Sequence, residues 1–147
     1  MSFLKGRMEG GKAINKNLAL LKKAIQRRVL RKAVTAASKP VLAAAKAKAP
    51  RETDLLLKSL GRKTKTYRSS GVAVAIVGPR EGFGREVEVN GEVQIQDPIF
   101  YAHLVELGTF RTSAQPFMRP AFESTKEQAK SITAKKIAEE IDRELSK

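Results

Sequence analysis

The chain contains no cysteine and no tryptophan, and its one histidine is His103. Without cysteine there can be no disulfide, no thiolate nucleophile and none of the commonest structural zinc ligand. A lone histidine cannot build a His-based metal site, and general acid–base chemistry needs a second oriented group. His103 therefore reads as a packed or half-exposed helix residue. Aromatics make up 5% of the chain, so a core must come mainly from Leu, Ile, Val and Ala. Long apolar runs are also missing. Val72 to Val77 is the longest, far short of the ~20 residues that span a bilayer, and the first residues lack the apolar stretch of a signal peptide. The expectation is a soluble protein, intracellular when made, with no membrane partner. Phosphate-binding loops, nucleophile elbows and zinc-protease helices are absent as motifs, and Gly82-Phe83-Gly84 is too short for a dinucleotide fingerprint. Neither an enzyme nor a cofactor is implied.

Acidic residues are scarce in the front half. Residues 1–68 hold 19 Lys and Arg against Glu9, Glu52 and Asp54, a balance of +16, whereas residues 69–147 balance to −2. Such a field favours phosphate polymers or an acidic protein surface and weakens with salt. No helix-turn-helix, zinc finger or aromatic-interleaved basic patch accompanies it, so sequence-specific DNA reading is disfavoured. A small basic protein that binds nucleic acid non-specifically is the alternative reading that charge leaves open. Glu139, Glu140, Asp142 and Glu144 cluster near the C-terminus and read as a solvated helix face rather than a metal site.

At 147 residues the chain fits one domain. Residues 1–11, with three glycines, read as a flexible arm ahead of a single domain over 12–147. Ile14, Leu18, Leu21, Ile25 and Val29 step along one face of an amphipathic helix from Lys12 to Ser38, with Arg27, Arg28 and Arg31 on its basic side. Pro40 should kink or restart it, with Ser38 as a cap for a second segment to Lys48, ended by Pro50. Thr53 to Gly61 reads as a short helix stopped by glycine, its leucines closing over the core. Arg62 to Arg68 and Val72 to Val77 read as two strands joined at Ser69-Ser70-Gly71. Glu86 to Gln96 alternates strictly about Asn90-Gly91, the signal of a type I′ hairpin. Its expected apolar face is Val87, Val89, Val93 and Ile95, and it should lie on the main sheet or on another subunit. Asp97-Pro98 should start a short helix that Gly108 ends in the left-handed conformation, and Pro120 to Leu145 should form a last long helix.

Between Tyr101 and Glu123 lie four of the eight aromatic residues and two of the six prolines, the marks of a built corner. Glu106 and Arg119 sit among apolar residues, where an unpaired charge is costly, and are expected to pair across it. Tyr101-Ala-His-Leu-Val-Glu106-Leu-Gly108-Thr109, followed by Gln115-Pro116-Phe117-Met-Arg119-Pro120, resembles the signature of the bacteriophage neck and tail-component family of long-tailed phages with non-contractile tails, the head–tail joining or tail-completion proteins. Ala49-Pro50, Thr53-Asp54-Leu55-Leu56 and Ser59-Leu60 resemble the family's second patch, with Asp54 where the family usually has glycine.

The resemblance implies an α+β fold: a long N-terminal helix and a C-terminal helix packed on a small antiparallel sheet with an extended β-hairpin. It further implies a virion protein, made in the host cytoplasm, that assembles into a six-membered ring in the neck. That ring would meet connector or head-closure proteins on one side and tail-terminator or tail-tube proteins on the other. Phage DNA would pass through its channel without sequence-specific contact. The acidic hairpin residues Glu86, Glu88 and Glu92 and the basic Arg27, Arg28 and Arg31 are the candidate subunit interface.

Overall fold

The computed structural model describes residues 19, 21–52 and 54–147. The expected arm, the helical start at Lys12 with Ile14 and Leu18, and Thr53 lie outside the described residues. The elements run α1 (Lys23–Lys48), α2 (Leu55–Ser59), β1 (Leu60–Tyr67), β2 (Val72–Pro79), β3 (Arg85–Val89), β4 (Glu92–Gln96), α3 (Pro98–Leu107) and α4 (Met118–Leu145). The fold is α+β. The described residues divide into two compact units, one running up to Pro40 with Lys63–Ile76 and Thr125–Lys147, the other Val41–Arg62 with Val77–Ser124.

In the first unit, Val29 and Ala33 of α1 and Ile137 and Ile141 of α4 are buried together, flanked by Leu21, Ile25 and Leu30. The i, i+4 spacing on each helix puts these residues on one face. Leu21 and Lys22 fall outside the helix. The Leu21 carbonyl accepts the Gln26 side-chain amide at 2.7 Å, and the Lys22 carbonyl accepts the first helical N–H groups, from Ile25 and Gln26. Beside this core lies Glu140, its side chain only 2% exposed. Lys32 Nζ donates to it at 2.7 Å, Arg143 at 3.0 Å, and Lys136 stands at 3.5 Å. Glu144, also shielded, pairs with Lys147 at 3.1 Å and with Arg28 at 3.8 Å. The acidic cluster is therefore not a uniformly solvated face. A four-residue step carries Glu140 and Glu144 round to the side that meets the basic residues of α1, while Glu139 and Asp142 stay exposed.

Pro40 does not break α1, which runs on for 26 residues with the proline inside. Proline removes the N–H that would bond the Ala36 carbonyl, but alanine-rich flanks anchored by buried Ala37 in one unit and Ala45 and Ala49 in the other keep both sides helical. Ser38 consequently lies inside the helix rather than at a start; its hydroxyl donates back to the Thr35 carbonyl at 2.8 Å.

In the second unit Ala45, Ala49, Leu56, Leu60, Ala102, Phe117 and Ala121 form the core, with Leu42, Val105 and Met118 against it. The expected covering role of the α2 leucines falls to Leu56. Asp54 precedes α2 at φ 52°, so the turn that usually takes glycine is kept by a residue whose short side chain tolerates that conformation. The helix ends at Ser59 and β1 begins at once, leaving Gly61 inside a strand rather than at a helix stop. A Cβ at position 61 would meet the guanidinium arm of Arg80, a flexible side chain that can move aside at little cost. That arm reaches the Ser59 carbonyl at 3.2 Å and the Lys58 carbonyl at 3.4 Å, placing a cation at the carbonyl end of α2, and it also stacks over Phe83 at 4.7 Å.

The strands form two separate two-stranded sheets, β1-β2 and β3-β4. The second hairpin turns at Asn90 (φ 54°) and Gly91 (φ 82°), as the type I′ geometry demands. Among the described residues it makes a sheet of its own rather than extending the first. Its register pairs Glu86 with Ile95, Val87 with Gln94, Glu88 with Val93 and Val89 with Glu92. Directly opposed residues share a face, and this corrects the expected apolar side. A two-residue turn pairs odd positions with even ones, so Glu86, Glu88, Val93 and Ile95 face one way and Val87, Val89, Glu92 and Gln94 the other.

The Lys32 hydrogen bond, aided by the charges of Arg143 and Lys32, outweighs burial and lowers the Glu140 pKa below its ordinary 4.5. A carboxylate lowered on folding contributes stability above its unfolded pKa and loses it as pH falls through the folded value. Thermal melts between pH 7 and pH 3 should show stability declining below about pH 4.5, with a shallower decline in Glu140→Gln. Parallel curves would remove Glu140 from the acid transition.

Candidate functional site

The signature corner is built around one carboxylate. Asp97 caps α3 by accepting the Ile99 N–H at 3.1 Å, and its other oxygen accepts the Gly82 N–H at 3.2 Å. This fixes where the helix starts. Ten residues later α3 ends, with the Gly108 N–H bonded to the Leu104 carbonyl at 2.8 Å. Gly108 sits at φ 77°, ψ 174°. The positive φ was expected, but the extended ψ belongs to a region open essentially to glycine alone rather than to the left-handed helix. A Cβ there would also lie 2.7 Å from the Ala114 nitrogen.

From Gly108 the chain folds back on itself. Thr109 Oγ1 accepts the N–H groups of Arg111 and Thr112 at 3.2 and 3.0 Å. The Thr109 N–H bonds the Thr112 carbonyl, and the Gln115 N–H bonds Val105 at 2.8 Å. Glu106 lies one helical turn before the loop closes. Its Oε2 accepts the N–H groups of Phe117 and Met118 at 2.8 and 2.9 Å, and its Oε1 accepts that of Arg119 at 3.0 Å.

The N-terminus of α4, with its unsatisfied donors and positive dipole end, is thus held by an acid from α3. Sequence reasoning brought Glu106 and Arg119 together correctly but chose the wrong atoms. The partner is the Arg119 backbone, and the guanidinium, on an exposed residue, forms no ion pair with Glu106 among the described residues. Phe117, 1% exposed, is the anchor that drops from this cap into the core.

The remaining signature residues separate by environment. Leu56 and Ser59 are buried, the Ser59 hydroxyl donating to the Leu56 carbonyl at 2.7 Å. Pro50, Tyr101 and Pro120 are half-buried, and Gln115, Pro116, Thr109 and Arg119 are exposed. His103 is exposed on α3, and among the described residues no group of acids and histidine could hold a metal ion. Of the interface candidates, Glu86, Glu88, Glu92 and Arg31 are exposed, Arg27 is half-buried and Arg28 pairs with Glu144.

What the sequence reading missed is a display of apolar side chains on the outside of the same corner. Phe100, Leu104 and Leu107 stand at i, i+4 and i+7 on α3, all exposed, and Phe110 in the following loop is fully exposed at 103%. Their helical spacing was visible as a signal; their outward direction was not.

The profile of a family described as "Bacteriophage HK97-gp10, putative tail-component" matches residues 12–108, more than half of the chain. The chain belongs to this family. The match takes in α1 through α3 with Glu106 and Gly108, and ends before Gln115–Pro120, the other half of the corner. No curated protein and no solved structure matches the chain. The family's described place is the phage tail, and no helix among the described residues is long and apolar enough to cross a membrane.

The two readings of the Glu106–Arg119 relation separate experimentally. Glu106→Ala should lower stability by about 1–3 kcal/mol, the range for leaving helix-end donors uncapped. Arg119→Ala should stay within about 0.5 kcal/mol of wild type, as surface changes do. Urea titrations with equal losses for the two variants would restore the ion pair.

Proposed function

We propose that this chain is a structural subunit of the phage neck, which assembles with further copies into a ring that completes the tail or joins it to the DNA-filled head. Membership of a tail-component family supports the setting. The observation that carries an assembly role is the outward display of Phe100, Leu104, Leu107 and Phe110 on a backbone pinned by Glu106, Asp97 and Thr109. Full burial of such a side chain is worth roughly 1.5–3 kcal/mol. Four exposed apolar side chains held on a fixed backbone mark a surface that a protein neighbour covers. Neighbours on this reading are the connector or head-closure protein and the tail-terminator or tail-tube protein. Phage DNA crosses the ring through non-specific contact, favoured by the basic front half. The role is mechanical and involves no catalytic step.

The purified chain is expected to form closed rings in negative-stain images and to restore joining when added to heads and tails that lack it. Leu107→Ser with Phe110→Ser should keep the wild-type melting temperature within a few degrees yet lose joining activity. A wild-type chain that stays monomeric and restores nothing would sink the proposal.

A further inference from the structure

The two hairpins present opposite chemistries on matching geometry. On β1 the outward positions are Lys63, Lys65 and Tyr67, alternating with half-buried Arg62, Thr64 and Thr66. Thr64 turns inward, its hydroxyl 2.8 Å from that of Thr35 on α1. On β2, Val72 and Ile76 are exposed as well. All five lie within Lys63–Ile76: two ammonium groups, a tyrosine and two aliphatic side chains. On the second hairpin, the register gathers Glu86, Glu88, Val93 and Ile95 on one face, and Val93 and Ile95 are 69% and 70% exposed.

We infer that these faces are the two halves of a contact between copies of this chain, the Glu86–Glu88 face of one copy lying on the Lys63–Lys65 face of the next. The inference rests on the assembly reading above and names its subunit contact. Lys63 and Lys65 are two residues apart on one strand, as are Glu86 and Glu88, so each pair spans about 6.6–6.8 Å and both ion pairs form in a single register. Apolar groups flank the charges on each side: Tyr67, Val72 and Ile76 on one, Val93 and Ile95 on the other. Each face is exposed, and every copy carries both a basic face and its acidic complement. The contact joins two different surfaces and is heterologous, which generates a ring when the rotation closes and a filament when it does not. Charges at such a contact set register and partner choice. Arg27, Arg28 and Arg31 are not needed for it.

The test uses the full-length chain at low salt, with native mass spectrometry as the readout. Wild type should populate multiples of the 16.2 kDa subunit. Glu86→Lys with Glu88→Lys should be monomeric, and so should Lys63→Glu with Lys65→Glu. Mixing the two variants should restore oligomers, because each then meets an opposite charge on both sides. Restoration also requires both variants to be folded. Variants that assemble as wild type does, or that stay monomeric after mixing, overturn the contact while leaving ring formation by another surface intact. A wild-type chain that is itself monomeric overturns the contact and the assembly reading together.

Discussion

A carboxylate that reaches from one helix to the first amides of another is the constraint on which the corner depends. Glu106 collects three N–H groups from Phe117, Met118 and Arg119, and in doing so fixes both the end of α3 and the start of α4. A helix start held only by its own cap could pivot, whereas one tied to another helix has its direction set. The tie also sets the depth of Phe117, since the amide it holds belongs to the residue whose ring fills the core. Gly108 and Thr109 follow from the same demand. The chain must leave α3, turn and return within nine residues to bring position 117 back to position 106, and only a glycine-specific conformation and a side-chain-stitched turn make that path short enough.

The opposite end of the chain is governed by charge. A front half balanced at +16 would repel itself if its cations were left alone. Buried Glu140, ringed by Lys32, Lys136 and Arg143, and shielded Glu144 beside Arg28 and Lys147, offset part of it within the first unit. Glu140 and Glu144 of the last helix are therefore not decoration on a solvated face but counter-charges of the first helix. Lys63 and Lys65, exposed on β1, lie outside this network.

Local rules were legible where a backbone conformation is dictated by one or two residues. Asn90-Gly91 announced its turn, Asp97-Pro98 its helix start and Gly108 its stop. The failures came where tertiary context outvotes local preference. Pro40 was absorbed because the helix is packed on both sides of it, and Gly61 stops no helix because β1 begins directly after Ser59. Glu106 and Arg119 were matched by polarity alone, since sequence shows which residues need a partner but not whether the partner is a side chain or an amide. The outward stripe on α3 escaped for a similar reason. Spacing marks a face of a helix without saying which way the face looks.

The parity of the second hairpin has a wider meaning. With two residues in the turn, valines on one strand and a valine and an isoleucine on the other are dealt to opposite sides, and neither side becomes greasy enough to seek a core. A turn one residue longer would deal all four to the same side and convert two mixed faces into one apolar and one polar face. Turn length here acts as a switch of surface character that leaves composition unchanged.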